Sequence, residues 1–121
     1  MDNDFKPAPV KAEISFDDFD KIDIRVGSIK RVEDVEGSRK LVKLIVDFGD
    51  HERCILAGIK QERENPEALA GMQALFVVNL PPRKMAGVTS EGTLFDIGYS
   101  DNIDPSLAVP EASVPSGTRA G

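Results

Sequence analysis

The chain has 121 residues, 40% hydrophobic and 30% charged, the proportions of one ordinary globular domain with a single core. A formal net charge of −6 speaks against a protein that coats nucleic acid by bulk electrostatics, and a lone cysteine, Cys54, excludes an internal disulfide or a thiolate metal cluster within one chain. No apolar run approaches the ~20 residues of a membrane span, and residues 1–10 lack the basic start and apolar stretch of a signal peptide, so a cytoplasmic location is expected.

Residues 1–13, with Pro7 and Pro9, show no periodicity and read as a flexible lead-in. Ser15 is a candidate N-cap for a short helical turn over Phe16 to Asp20, with Asp17 and Asp18 placed where the helix dipole favours acids. Phe16 and Phe19, three apart, are expected to face the core together. The alternation Ile22-Asp23-Ile24-Arg25-Val26 predicts a half-buried first strand, continued through Ser28 to Val32 after a bend at Gly27. Residues 33–40 form a polar loop with Gly37 and Ser38 at its tip. A second strand runs from Leu41 to Phe48 with Val42, Leu44, Val46 and Phe48 on one face. Gly49-Asp50-His51 is a turn, and Glu52 to Ala57 a third strand.

Asn65-Pro66-Glu67 reads as a helix start and Gly71 as its stop, so residues 59–71 are predicted to be a helical connection with Leu69 facing inward. Met72 to Asn79 is the fourth strand, Leu80 to Thr89 a long loop containing Pro81-Pro82, and Ser90 to Gly98 the fifth strand. Phe48, Phe76 and Phe95 all fall at core-strand positions. Residues 99–121 have the composition of a disordered tail, yet Leu107, Val109 and Val114 also suit an extension packed on the barrel or on a second subunit. Three strands, a helix and two strands define an all-β, five-stranded Greek-key barrel of the OB type over residues 14–98, with a short helix between strands three and four and an extension at each end.

No constellation for catalysis emerges. His51 sits alone in a turn, there is no glycine-rich phosphate loop, and Asp17, Asp18, Asp20 and Asp23 lack the spacing of a calcium loop. A catalytic role, a cofactor and a metal are therefore not expected. Charge is distributed unevenly: residues 1–24 hold three bases and seven acids, but residues 25–43 hold six bases against three acids, and Arg83 and Lys84 fall in the second long loop. OB barrels take oligonucleotides between the loop joining strands one and two and that joining strands four and five. Arg39, Lys40, Arg83 and Lys84 lie in or beside those loops, with Ser90 close by, so these five are the candidate RNA-contacting residues. The chain has no Trp, and Tyr99 is its only tyrosine. So few rings favour a folded RNA, read through phosphate, 2′-hydroxyl and shape, over a single strand stacked base by base.

The run Phe19-Asp20-Lys21-Ile22-Asp23-Ile24-Arg25-Val26-Gly27 resembles the opening motif of the tRNA-binding domain family. That family includes the C-terminal domain of bacterial methionyl-tRNA synthetase and the chaperone-like CsaA proteins. Further matches are Ala57-Gly58-Ile59, Pro66 to Gly71, Val78 to Gly92 and Val114 to Thr118. The resemblance implies an OB-fold that binds tRNA without much sequence preference and without chemistry, and that forms homodimers through its terminal segments. Family contacts to tRNA include an Asn in the first loop, a Ser before the fifth strand and a Met just inside it. Here only the serine is matched, as Ser90, while Gly37 and Thr93 stand at the other two places. CsaA-like members imply an alternative, a chaperone holding extended peptides in protein export, for which apolar Met85 and Val88 would serve. A synthetase-associated assembly adaptor is a third.

Overall fold

The computed structural model describes residues 4–121; positions 1–3 of the predicted lead-in lie outside them. Residues 5–15 carry no regular structure. Helix α1 (Phe16–Phe19) is one turn long, and the Ser15 hydroxyl accepts from the Asp18 N–H at 3.0 Å, the capping expected of that serine. Neither Phe16 nor Phe19 reaches the core: both stay exposed, because the turn sits outside the barrel.

Strand β1 (Ile24–Asp34) is the spine of the sheet and pairs antiparallel with β2 (Val42–Asp47) and β4 (Gln73–Val77). Its bend lies at Lys30, where the register against β2 slips between Ile29 and Arg31, and not at Gly27. The extra residue reverses the phase of the strand. Before the slip Gly27 and Ile29 are buried, and after it Val32 packs on the core. Gly27 serves a different need. A Cβ there would collide with Val46 and stand 2.9 Å from the Phe48 ring, so the bare backbone makes room for the core.

Strand β2 buries Val42, Leu44 and Val46 and leaves the residues between them half-buried, as its alternation predicts. It forms a hairpin with β3 (Glu52–Ala57). The predicted helical connection is reduced to a 3-10 turn over Pro66–Leu69. Asn65 makes no side-chain cap, whereas Leu69 is buried and Gly71, at φ +92°, turns the chain so that its N–H donates to the Ile29 carbonyl at 2.7 Å.

The predicted long loop after β4 is instead a second hairpin, β5 (Arg83–Met85) paired with β6 (Val88–Ser90). Ala86 and Gly87 both have positive φ, +50° and +78°, the requirement of a type I′ two-residue turn. The predicted fifth strand is broken into β6, β7 (Thr93–Leu94) and β8 (Asp96–Ile97). Leu94 points inward, so Phe95 faces out and is 46% exposed, against the expectation that it belongs to the core. The sheet order β3-β2-β1-β4-β7 brings β3 back to residues 90–92, which is the OB topology.

That last seam is closed largely by side chains. The Ser90 hydroxyl accepts from the Leu56 N–H at 3.0 Å and donates to the Gly92 carbonyl at 3.0 Å. A Glu91 carboxylate oxygen accepts from the Cys54 N–H, and the Arg53 guanidinium donates to the carbonyls of Val78 and Glu91. The C-terminal segment packs on the barrel. Strand β9 (Ser106–Leu107) pairs with β8 and buries Leu107, Gln73 exchanges two hydrogen bonds with the backbone of Val114, and β10 (Arg119–Ala120) pairs with β1 beside Ile24 and Arg25.

Candidate nucleic-acid interface

Between the first loop and the 83–90 hairpin the barrel opens into a cavity of about 490 Å³. Its floor is apolar, with Leu41, Leu56, Ala57 and Leu94, and its rim carries Lys40, Arg83, Met85 and Tyr99.

Lys40 is held at this rim by local geometry. The Ser38 hydroxyl accepts from the N–H groups of Lys40 and Leu41 at 3.3 and 3.0 Å, tying off the loop, and the Lys60 N–H donates to the Lys40 carbonyl. Its aliphatic stem crosses Gly58, where a Cβ would stand only 3.3 Å from Cε. The Nζ atom ends 5.5 Å from the centre of the Tyr99 ring and 3.5 Å from its hydroxyl. An ammonium so placed is attracted by the ring face, and the pair sets a charge beside an aromatic surface at the mouth of the cavity.

Of the five residues proposed from the sequence, the structure brings Lys40 and Arg83 to one cavity. Arg39, next in sequence to Lys40, is exposed but turns to a neighbouring concavity of about 550 Å³ with Glu33, Asp34, Lys60, Arg63, Glu64 and Glu67, where acids outnumber bases. Lys84 pairs across the hairpin with Thr89, and both are exposed on the face opposite Arg83 and Met85. Ser90 is 3% exposed, and its hydroxyl is engaged in the barrel seam. It is turned into the protein and is not presented to a bound RNA.

Sequence reasoning missed Tyr99 and Asp96. Both lie past the core of the fifth strand, where the chain doubles back through Gly98 at φ +111°. Phe95, expected at a core position, is an exposed ring, as is Tyr99.

Elsewhere charge serves the fold. Arg25 grips both oxygens of Asp23 at 2.7 and 3.0 Å and holds that carboxyl below its ordinary range. Lys43 and Arg31 do the same for Glu33. His51 is bracketed by Asp50 at Nδ1 and by the Arg53 Nε–H, donated to Nε2 at 3.0 Å, which assigns the ring proton to Nδ1. Burial raises the Cys54 thiol, so it is not poised as a nucleophile. Among the described residues no three His, Cys, Asp or Glu side chains stand together to hold a metal, and no helix is long and apolar enough to cross a membrane.

An OB-type barrel with a basic, ring-bearing cleft between its two loops is the form of an oligonucleotide-binding module. The family described as "Putative tRNA binding domain" matches residues 24–119, and the chain belongs to it. Segments of two methionine–tRNA ligases are similar: that of Bacteroides fragilis is 43% identical over 105 residues and that of Archaeoglobus fulgidus 41% over 109. These matches cover 87% and 90% of this chain but only 15% and 16% of the ligases. Among solved structures, a MetRS-related protein from Pyrococcus horikoshii superposes with a TM-score of 0.84 at 38% identity, over 92% of this chain and 100% of that one. The chaperone CsaA from Bacillus anthracis gives 0.74 at 32%, over 91% and 100%.

Proposed function

We propose that this chain is a non-catalytic module that binds folded RNA, tRNA foremost, with little dependence on overall sequence. The observation that carries the reading is the meeting of Lys40 and Arg83 at the rim of one apolar-floored cavity, at the loop end of an otherwise acidic barrel. Two cations so placed contact phosphates of a bound strand, and exposed Arg39 and Lys84 reach phosphates further out. Membership of the tRNA-binding domain family supports the same ligand class. The location that suits it is the cytoplasm.

The test is a titration of tRNA at two salt concentrations, with Lys40→Ala, Arg83→Ala and Lys84→Ala in parallel. Affinity is expected to fall steeply with salt, and each lost phosphate contact to flatten the slope of log K against log salt by about one. Binding that ignores both salt and substitution overturns the reading. Binding of extended peptides to the apolar floor, the role suggested by the CsaA likeness, would change little with salt.

Pairing of two copies belongs to the same proposal. Val10, Ile14, Phe16, Phe19 and Ile22 are all exposed in the N-terminal segment, an apolar surface that a second copy would cover. Sedimentation equilibrium of the full chain should give twice the mass of one chain, and Phe16→Asp should halve it.

A further inference from the structure

Asp96 is an acid lining a cavity whose rim cations suit a polyanion. A carboxylate there repels phosphate and weakens RNA binding unless it makes hydrogen bonds that offset the repulsion. It enters none of the ion pairs formed among the described residues. One oxygen, Oδ1, accepts from the Tyr99 N–H at 3.2 Å; Oδ2 has no hydrogen-bond donor among the described residues. The bond to Tyr99 ties the carboxylate to the residue whose ring, 54% exposed, lies at the same rim. A planar ring, an apolar floor and an ionised acceptor pair therefore converge on one space, whose volume of about 490 Å³ exceeds that of a purine.

We infer that this cavity receives one unpaired base of the bound RNA and that Asp96 makes guanine the preferred one, an inference that rests on the RNA reading above. An unstacked base is read on its Watson–Crick edge while its face lies on an aromatic side chain. Guanine alone presents two adjacent donors there, N1–H and the exocyclic N2–H, which match the two oxygens of an ionised carboxylate. Adenine and cytosine place a ring-nitrogen acceptor beside their amino group, and uracil flanks its N3–H with two carbonyls, so each sets a lone pair against Asp96. Tyr99 supplies the stacking surface and is indifferent to base identity. Lys40 and Arg83 hold the flanking phosphates and offset the charge of Asp96.

The test uses the full chain and fluorescently labelled RNA stem–loops that differ in one unpaired loop nucleotide: G, A, C, U or inosine. The guanine loop is expected to bind about ten-fold tighter than the A, C and U loops, the discrimination typical of one bidentate base contact. Inosine, which lacks N2–H₂, should fall between, and this comparison needs no change in the protein. Asp96→Asn keeps an oxygen for the Tyr99 N–H and should erase the preference by weakening the guanine loop alone. Tyr99→Ala should weaken all five loops alike. Equal binding of all five loops to the unaltered protein overturns the base pocket and leaves RNA binding standing. A uniform tightening by Asp96→Asn also overturns it, because Asp96 would then act only as a repelling charge. Failure of every stem–loop and of tRNA to bind sinks the RNA reading itself, and the pocket with it.

Discussion

Ser90 illustrates how one hydroxyl can serve as a ladder partner. Its oxygen takes the place of a backbone carbonyl opposite the Leu56 N–H, which is buried with it. Ser90→Ala leaves that donor unsatisfied, and equilibrium denaturation should register a loss of about 1–3 kcal/mol. Gly27 should be harsher to change, since a methyl at that point meets Val46, Phe48 and Phe76 together; Gly27→Ala is expected to destabilise by about 1–3 kcal/mol or more. Asp23 sets a pH dependence. Its carboxyl is depressed chiefly by the hydrogen bond from Arg25, with Arg119 adding a weaker attraction. A group depressed in the folded state stabilises above its unfolded pKa, and the benefit fades as pH falls through the folded value. The stability gap between the native chain and Asp23→Asn should therefore be widest near neutrality and shrink below about pH 4. A gap that does not change with pH would show the ion pair to contribute nothing. At this scale Ser90 was legible as a residue close to the loops, but not its direction. Alternation places a side chain on a face only where the strand is regular, and β6 ends two residues before Gly92 at φ +154°.

At the level of elements, β2 and β3 could be read directly because their apolar residues alternate and a glycine turn separates them. The 83–90 hairpin could not. Its turn is Ala86-Gly87 instead of the usual Asn-Gly, and Pro81-Pro82 signals a loop just before it. Alanine in the left-handed region carries a penalty of roughly 1–2 kcal/mol that asparagine largely escapes. Ala86→Asn is thus expected to stabilise by about 1 kcal/mol, read as a higher unfolding midpoint together with slower amide exchange in residues 83–90. The bulge at Lys30 was hidden for a related reason: Gly27 offered the only visible signal for a bend, while its actual constraint is space in the core. For the candidate site, Lys40 and Arg83 were found because loops can be located between well-patterned strands. Tyr99 and Asp96 were not, because their positions depend on the backward fold at Gly98 and on pairing of β8 with a strand ten residues on.

Across the molecule, the segment after Gly98 completes the barrel. Leu107 fills part of the core, the Ser116 hydroxyl lies 2.6 Å from that of Ser28, and the Gly117 N–H donates to the Val26 carbonyl while the Val26 N–H donates to Thr118. In this structure the segment lies against the barrel from Ser106 to Ala120. Ending the chain at Ser113 should cost about 2–4 kcal/mol, from the uncovering of Val26 and the loss of these hydrogen bonds, measurable as a lower midpoint in calorimetry. Full stability after that truncation would mean that the segment contributes little to the barrel.

The pairing of Ala120 with Ile24 also brings the far end of the chain back to where the barrel begins, with a Cβ on Gly121 only 4.0 Å from the Phe19 ring. Order along the sequence is therefore nearly independent of order in space, and the barrel is close to a ring with one cut. A few glycines joining Gly121 to Ser15, with new ends opened between Asp50 and His51 in an exposed turn, should give a circular permutant that folds to the same barrel. The same geometry lets such a unit be inserted whole into another protein, leaving at nearly the point where it came in.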